Sequence, residues 1–167
     1  RAGQVGNART AVALDLTDGD LLWEKVIDIS NTVGIALAKN GVYALGVAAN
    51  PYGGYTNPDR RVLALSTVDG ATLWDKTVGV GMCSRPIVIG NTLITQPAAY
   101  NLSSGNQLSF NMTRSSACGA IGASASLLFF REGYTKWYDA FTGVRSFFLL
   151  TRPGCWVNTI PAGGVVV

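Results

Sequence analysis

An all-β fold of repeated four-stranded units is what this 167-residue chain predicts. Three observations carry the prediction. The residues Ala13 to Gly19 read ALDLTDG, with Trp23 four past the glycine, and Ala64 to Gly70 read ALSTVDG, with Trp74 again four past it. Weaker copies end at Gly105 (AYNLSSG) and Gly143 (WYDAFTG). An internal repeat outranks other signals in assigning a fold. The copies are also built alike: a short apolar run, a polar turn closed by glycine, then a run rich in aromatic and β-branched residues. Finally, no stretch of about 11 or more residues keeps a helical apolar period free of glycine and turn residues.

The elements follow in order. Asp18-Gly19 and Asp69-Gly70 are hairpin signals, because glycine takes positive φ without a Cβ penalty. Ser104-Gly105 and Thr142-Gly143 serve the same purpose with less force. The runs that leave these turns are LLWEKVI from Leu21, TLWDKTV from Thr72, QLSFNM from Gln107 and VRSFFLL from Val144. A second hairpin lies between the copies. It reads TVGIALAKNGVYALG from Thr32, and its counterparts start at Cys83, Cys118 and Cys155. The repeat glycines are 51, 35 and 38 residues apart (70−19, 105−70, 143−105). About 40 residues per four-stranded unit is the period of a propeller blade.

The expected architecture is therefore a β-propeller of antiparallel four-stranded blades, a single domain over residues 1–167. It divides into a half blade (1–31), blades over about 32–80, 81–115 and 116–152, and a half blade (153–167). About four blades' worth of strands predicts an incomplete arc of a larger propeller. The other reading is a self-closed four-bladed ring in which the two half blades complete each other. The start at Arg1, without methionine or signal sequence, gives the expectation of a processed or partial chain.

Composition narrows the function classes. With 48% hydrophobic and 14% charged residues, the chain is core-rich, which argues against disorder. No apolar run approaches the ~18 residues of a membrane helix, so no transmembrane segment is expected. The net charge of +3 comes from scattered cations, of which only Arg60 and Arg61 are adjacent. Nucleic acid would need a basic stripe with interleaved aromatics, and it is not an expected partner. There is no histidine, which removes the Ser-His-Asp arrangement and histidine-based metal sites. No catalytic residue and no metal site are assigned.

The three cysteines hold one place in successive units: Cys83 is ten residues before Leu93, Cys118 ten before Leu128 and Cys155 ten before Val165. That place is the start of the innermost strand, near the channel mouth. Three readings stand open: a disulfide between Cys118 and Cys155, thiols used as packing, and a thiolate ring holding a metal or cofactor. Arg85, Arg152, Trp156 and Asn158 lie near the same rim. The two guanidinium groups are weak candidates for an anionic cofactor, with ion pairs or carbonyl contacts as the alternative. The one long loop, Asn50 to Arg60, offers Tyr52, Tyr55 and Arg60 as partner-contact residues.

The repeat resembles the PQQ-like (quinoprotein-type) β-propeller repeat, in which Ala-x-Asp-x-x-Thr-Gly-x-x-x-Trp docks neighbouring blades. Ala13, Asp15, Gly19 and Trp23 carry the resemblance, with Ala64, Gly70 and Trp74. Ser109 and Phe110 stand near the tryptophan position of the third copy, and Phe147 near that of the fourth. The resemblance implies a blade-docking role for Asp15, Gly19, Trp23, Gly70, Trp74, Gly105 and Gly143. It also implies an extracytoplasmic, periplasmic or secreted, module that binds or scaffolds a protein or glycan partner. The rest of its own chain, or another subunit completing the propeller, is a further expected partner. The alternative it implies is a fragment of a PQQ-dependent dehydrogenase with calcium beside the quinone. Cofactor-binding relatives carry neighbouring cysteines in a tight disulfide, whereas no two cysteines are adjacent here.

Overall fold

The computed structural model describes residues 9–27, 32–39, 41–47, 61–78, 85–115, 119–154, 159–163 and 165–166. All regular structure among them is β, and every strand pairing is antiparallel. The described residues run through five sheets in sequence order.

The first sheet pairs β1 (Arg9–Leu14) with β2 (Leu21–Ile27). The second is a four-stranded meander of β3 (Thr32–Ala38), β4 (Gly41–Val47), β5 (Arg61–Ser66) and β6 (Thr72–Thr77). The third holds β7 (Ile87–Ile89), β8 (Thr92–Ile94) and β9 (Ala99–Asn101). The fourth is again four-stranded: β10 (Gly122–Ala123), β11 (Leu127–Glu132), β12 (Tyr134–Asp139) and β13 (Arg145–Phe148). A hairpin of β14 (Pro161–Ala162) and β15 (Val165–Val166) ends the chain.

Neighbouring sheets pack face to face, so the core is divided into layers. Ile27, Trp23 and Ala11 of the first sheet meet Leu63, Leu65 and Val42 of the second. The opposite face of the second, carrying Tyr43, Val62, Ala64 and Trp74, meets Leu93, Tyr100 and Leu102 of the third. The third sheet's Ile89, Ile94 and Ala99 meet Leu128, Phe130 and Tyr138 of the fourth. Strand alternation explains the division. Leu63 and Leu65 face back while Val62 and Ala64 face forward, so β5 reads as one continuous apolar run.

Two runs depart from expectation. QLSFNM does not form a full fourth strand in the third sheet. Gln107 makes an isolated bridge to Tyr100, and the Phe110 amide then donates to the Leu108 carbonyl, which bends the chain away. In the fourth sheet, Phe147 does not take the register position of the tryptophans. Trp23 lies opposite Ala13 and Trp74 opposite Ala64, each just before a bulge that absorbs one residue. No register shift interrupts β12–β13, and Ser146 lies opposite Trp137. The bulky and small members of the pair have exchanged strands.

Candidate functional site

The four repeat turns share one hydrogen-bond scheme. The amide of each glycine, Gly19, Gly70, Gly105 and Gly143, donates to the carbonyl four residues earlier, at 2.8–3.1 Å. The residue at that earlier position is Asp15, Ser66, Asn101 or Asp139, and its side-chain oxygen accepts from a turn amide two residues on. All four glycines have positive φ, between 65° and 82°. The Thr17 amide holds the Asp15 carboxyl below its ordinary range, and the Thr142 and Phe141 amides do the same to Asp139.

Two of these turns are covered by the preceding sheet. The Trp23 indole Nε1 donates to the Thr67 carbonyl at 3.0 Å, and its ring lies on Gly70 so closely that a Cβ there would sit 2.7 Å from Trp23 Cε3. Lys25 Nζ donates to the Gly70 carbonyl at 3.0 Å. One unit on, Trp74 Nε1 donates to the Leu102 carbonyl at 2.7 Å, and a Cβ at Gly105 would meet Trp74 Cδ2 at 2.7 Å. Thr67 and Leu102 both stand three before the glycine, so acceptor and covered residue are equivalent. Tyr43 adds a second donor to the Leu102 carbonyl at 3.1 Å and packs its ring 5.7 Å from Trp74. Burial raises the Tyr43 phenol above its ordinary value.

The other two turns differ. Around Gly143 the nearest atom to an added Cβ is the Tyr138 hydroxyl at 3.5 Å. Phe110 does not cover that glycine; it packs edge-on against Tyr138, 5.5 Å between centroids. Arg145 closes this junction, donating to the Thr113 carbonyl and lying over the Tyr138 ring. Around Gly19 there is open space.

Of the remaining candidates, two fall within the described residues. Arg85 and Arg152 are both exposed. Trp156, Asn158, Tyr52, Tyr55, Arg60, Cys83, Cys118 and Cys155 lie outside the described residues, as does the Cys118–Cys155 pairing. Sequence reasoning passed over Arg114, which is 5% exposed and donates to Gln96 Oε1 at 3.1 Å and to the Gly119 carbonyl at 3.2 Å. Nothing in its sequence context marks it as interior. Glu132 was also missed. Burial would raise its carboxyl, but the Lys136 ammonium at 2.6 Å and the Ser115 amide and hydroxyl hold it down to about 2.

The last feature is an exposed apolar face on the first sheet and an apolar cleft against the fourth. On the first sheet Val12, Leu14, Leu22 and Val26 are exposed. On the fourth sheet Phe129 and Trp137 alternate with the inward Leu128, Phe130 and Tyr138, and so face away from the third sheet. They line a cleft of about 380 Å³ with Phe148, Pro161 and Val166. The Gly122 backbone at its edge lies so close to the Thr159 carbonyl that no Cβ would fit.

No family model and no curated protein matches the chain. Solved structures do. BamB from Moraxella catarrhalis superposes with a TM-score of 0.60 at 16% identity, over 83% of this chain and 46% of that one. The computationally designed Ika8 protein gives 0.58 at 16% identity, over 83% and 45%. The designed Ika4 protein gives 0.52 at 16% identity, over 78% of each chain. The chain thus spans less than half the length of the first two. At this identity the likeness is one of fold, and the fold is an all-β propeller arrangement of four-stranded antiparallel sheets.

Proposed function

We propose that this chain is an extracytoplasmic PQQ-like propeller module without a catalytic site, which binds or scaffolds a protein or glycan partner. One observation carries the binding role. Side chains whose counterparts are buried between sheets in the second unit stand exposed on the first sheet. Leu65 is 0% exposed, whereas Leu14, one residue past the matching alanine of the first copy, is 54% exposed. Contiguous apolar surface of this kind marks an interaction site. The extracytoplasmic placement rests on the sequence resemblance alone.

A photo-crosslinker placed at Leu22 or Phe148 tests the binding role. One discrete protein or glycan adduct is expected, with none from a crosslinker at the exposed turn residue Asn91. Dye reduction by the chain on addition of the quinone and calcium would overturn the non-catalytic reading.

A further inference from the structure

We infer that Asn111 is an acceptor site for an N-linked glycan, and that Asn101, which stands in the same sequence pattern, is not. The inference rests on the extracytoplasmic placement proposed above and adds a modification to it.

The pattern Asn-x-Ser/Thr occurs at Asn101-Leu102-Ser103 and at Asn111-Met112-Thr113. It is the acceptor signal for N-glycosylation, with a hydroxyl two residues past the asparagine and no proline between them. By sequence the two triplets are equal. The fold separates them. For one enzyme site to grip both the amide and the hydroxyl, the two side chains must lie on one open side of the chain.

Asn101 fails that condition because its side chain holds its own turn. Its Oδ1 accepts from the Ser103 and Ser104 amides, each at 3.0 Å, and from the Ser104 hydroxyl at 3.2 Å. Its carbonyl accepts from the Gly105 amide, so the chain folds back on itself within the triplet. The middle residue, Leu102, is 6% exposed, and its carbonyl is the one that Trp74 and Tyr43 hold.

Asn111 meets the condition. The chain bends at Phe110 and then alternates like a strand. Phe110, Met112 and Arg114 turn inward: Phe110 packs against Tyr138, Met112 is 0% exposed and Arg114 is 5% exposed. Asn111, Thr113 and Ser115 are exposed between them. Asn111 and Thr113 therefore share the outward side. Their backbone is pinned without help from either side chain. The Met112 amide donates to the Pro97 carbonyl at 2.9 Å, and the Thr113 carbonyl accepts from Arg145 Nη2 at 3.1 Å. Neither the Asn111 amide group nor the Thr113 hydroxyl bonds to another described residue. The triplet lies in mid-chain, past β9, between the third and fourth sheets. A glycan there would leave the core layers untouched and would shield the outer edge of the third sheet from pairing with a foreign strand.

The modification is a group transfer. The Asn111 side-chain nitrogen attacks C1 of the first sugar of a polyprenyl-diphosphate-linked oligosaccharide. A C–N bond forms and the C1–O bond to the diphosphate breaks. Polyprenyl diphosphate leaves, the nitrogen gives up one proton, and nothing is oxidised or reduced.

The test uses the protein purified from its native cells. Its peptides are treated in heavy-oxygen water with an amidase that releases N-glycans, which leaves a labelled aspartate wherever a glycan stood. Label is expected at Asn111 and not at Asn101. A bare Asn111, or label at Asn101, overturns the inference. A bare Asn111 in protein recovered outside the cytoplasm leaves the proposed placement standing, whereas a bare Asn111 in protein recovered from the cytoplasm overturns both. Variants of the whole chain, secreted from a glycosylating cell, check that the signal is the one read here. Asn111→Gln and Thr113→Ala, both at exposed positions, should each abolish the slower, amidase-sensitive gel band, and Thr113→Ser should retain it. Ser103→Ala removes the other signal while keeping the Asn101 turn contacts, and should leave the band unchanged. A band that survives Asn111→Gln overturns the assignment.

Discussion

Replacing Gly70 with alanine, and Gly19 with alanine as its internal control, separates the strain of a turn from the packing between sheets. Both glycines close the same turn, at φ of 70° and 82°. An alanine in that region costs about 1–2 kcal/mol at either position. The loss of unfolded-state freedom is also common to both and cancels in the difference. What differs is the space. At Gly70 the new methyl would lie 2.7, 3.0 and 3.2 Å from three atoms of the Trp23 ring, whereas at Gly19 nothing lies within 4 Å. The ring cannot retreat freely, because its Nε1 is tied to the Thr67 carbonyl at 3.0 Å. Overpacking of this kind costs about 1–3 kcal/mol, and a stretched hydrogen bond about 1 kcal/mol more. Gly70→Ala should therefore cost about 3–6 kcal/mol and Gly19→Ala about 1–2 kcal/mol. The assay is urea unfolding of the two variants beside the unmodified chain. The slope with denaturant must stay the same, so that midpoints report stability alone. Equal costs at the two positions, within about 0.5 kcal/mol, would refute the claim that the indole bears on the turn.

Further outcomes follow from the same geometry. Trp74→Phe and Tyr43→Phe each remove one donor from the Leu102 carbonyl; each should cost about 1 kcal/mol, and the double variant more than their sum, since only it leaves the buried carbonyl unpaired. Arg114→Met should lower stability by about 2–3 kcal/mol in the same urea assay, because Gln96 loses its charged donor inside the protein, while Arg85→Met at an exposed site should stay within about 0.5 kcal/mol. Glu132 gives a pH signature. Its folded-state value of about 2 lies below the ordinary 4.5, so its contribution is present above pH 4.5 and is lost as pH falls from there towards 2. Glu132→Gln should flatten the acid limb of stability in that window, and an unchanged limb would remove Lys136 and Ser115 as its cause.

The repeat was legible because its chemistry is local. A glycine at positive φ, an oxygen-bearing side chain four residues before it and an alanine opposite a tryptophan are all spelled out within eleven residues. That was enough to predict an all-β propeller. The third and fourth copies were harder to read for a physical reason. The tryptophan position depends on a bulge after Ala13 and Ala64, and a bulge shifts register without leaving a mark in residue count. In β12–β13 no shift occurs, so Phe147 falls opposite Lys136 and the bulky residue of the pair is Trp137. Arg114 and Glu132 were illegible because their partners are remote: Gln96 is 18 residues from Arg114, and Ser115 is 17 from Glu132. Composition marks arginine and glutamate as surface residues, and only tertiary contacts reverse that. The exposed face was equally hidden, since Leu14 and Leu65 occupy the same place in nearly the same sequence and differ in whether a described sheet packs on them.

Proton chemical shifts of the four repeat glycines test the central claim, that an indole from each tryptophan-bearing unit lies on the turn of the next. The measurement is made on the 167-residue chain. Gly70 and Gly105 should show α-protons displaced upfield by the rings of Trp23 and Trp74, and each displacement should vanish in the corresponding Trp23→Leu or Trp74→Leu variant. Gly19 and Gly143 should resonate at ordinary positions. Four glycines with matching, undisplaced shifts would contradict the account.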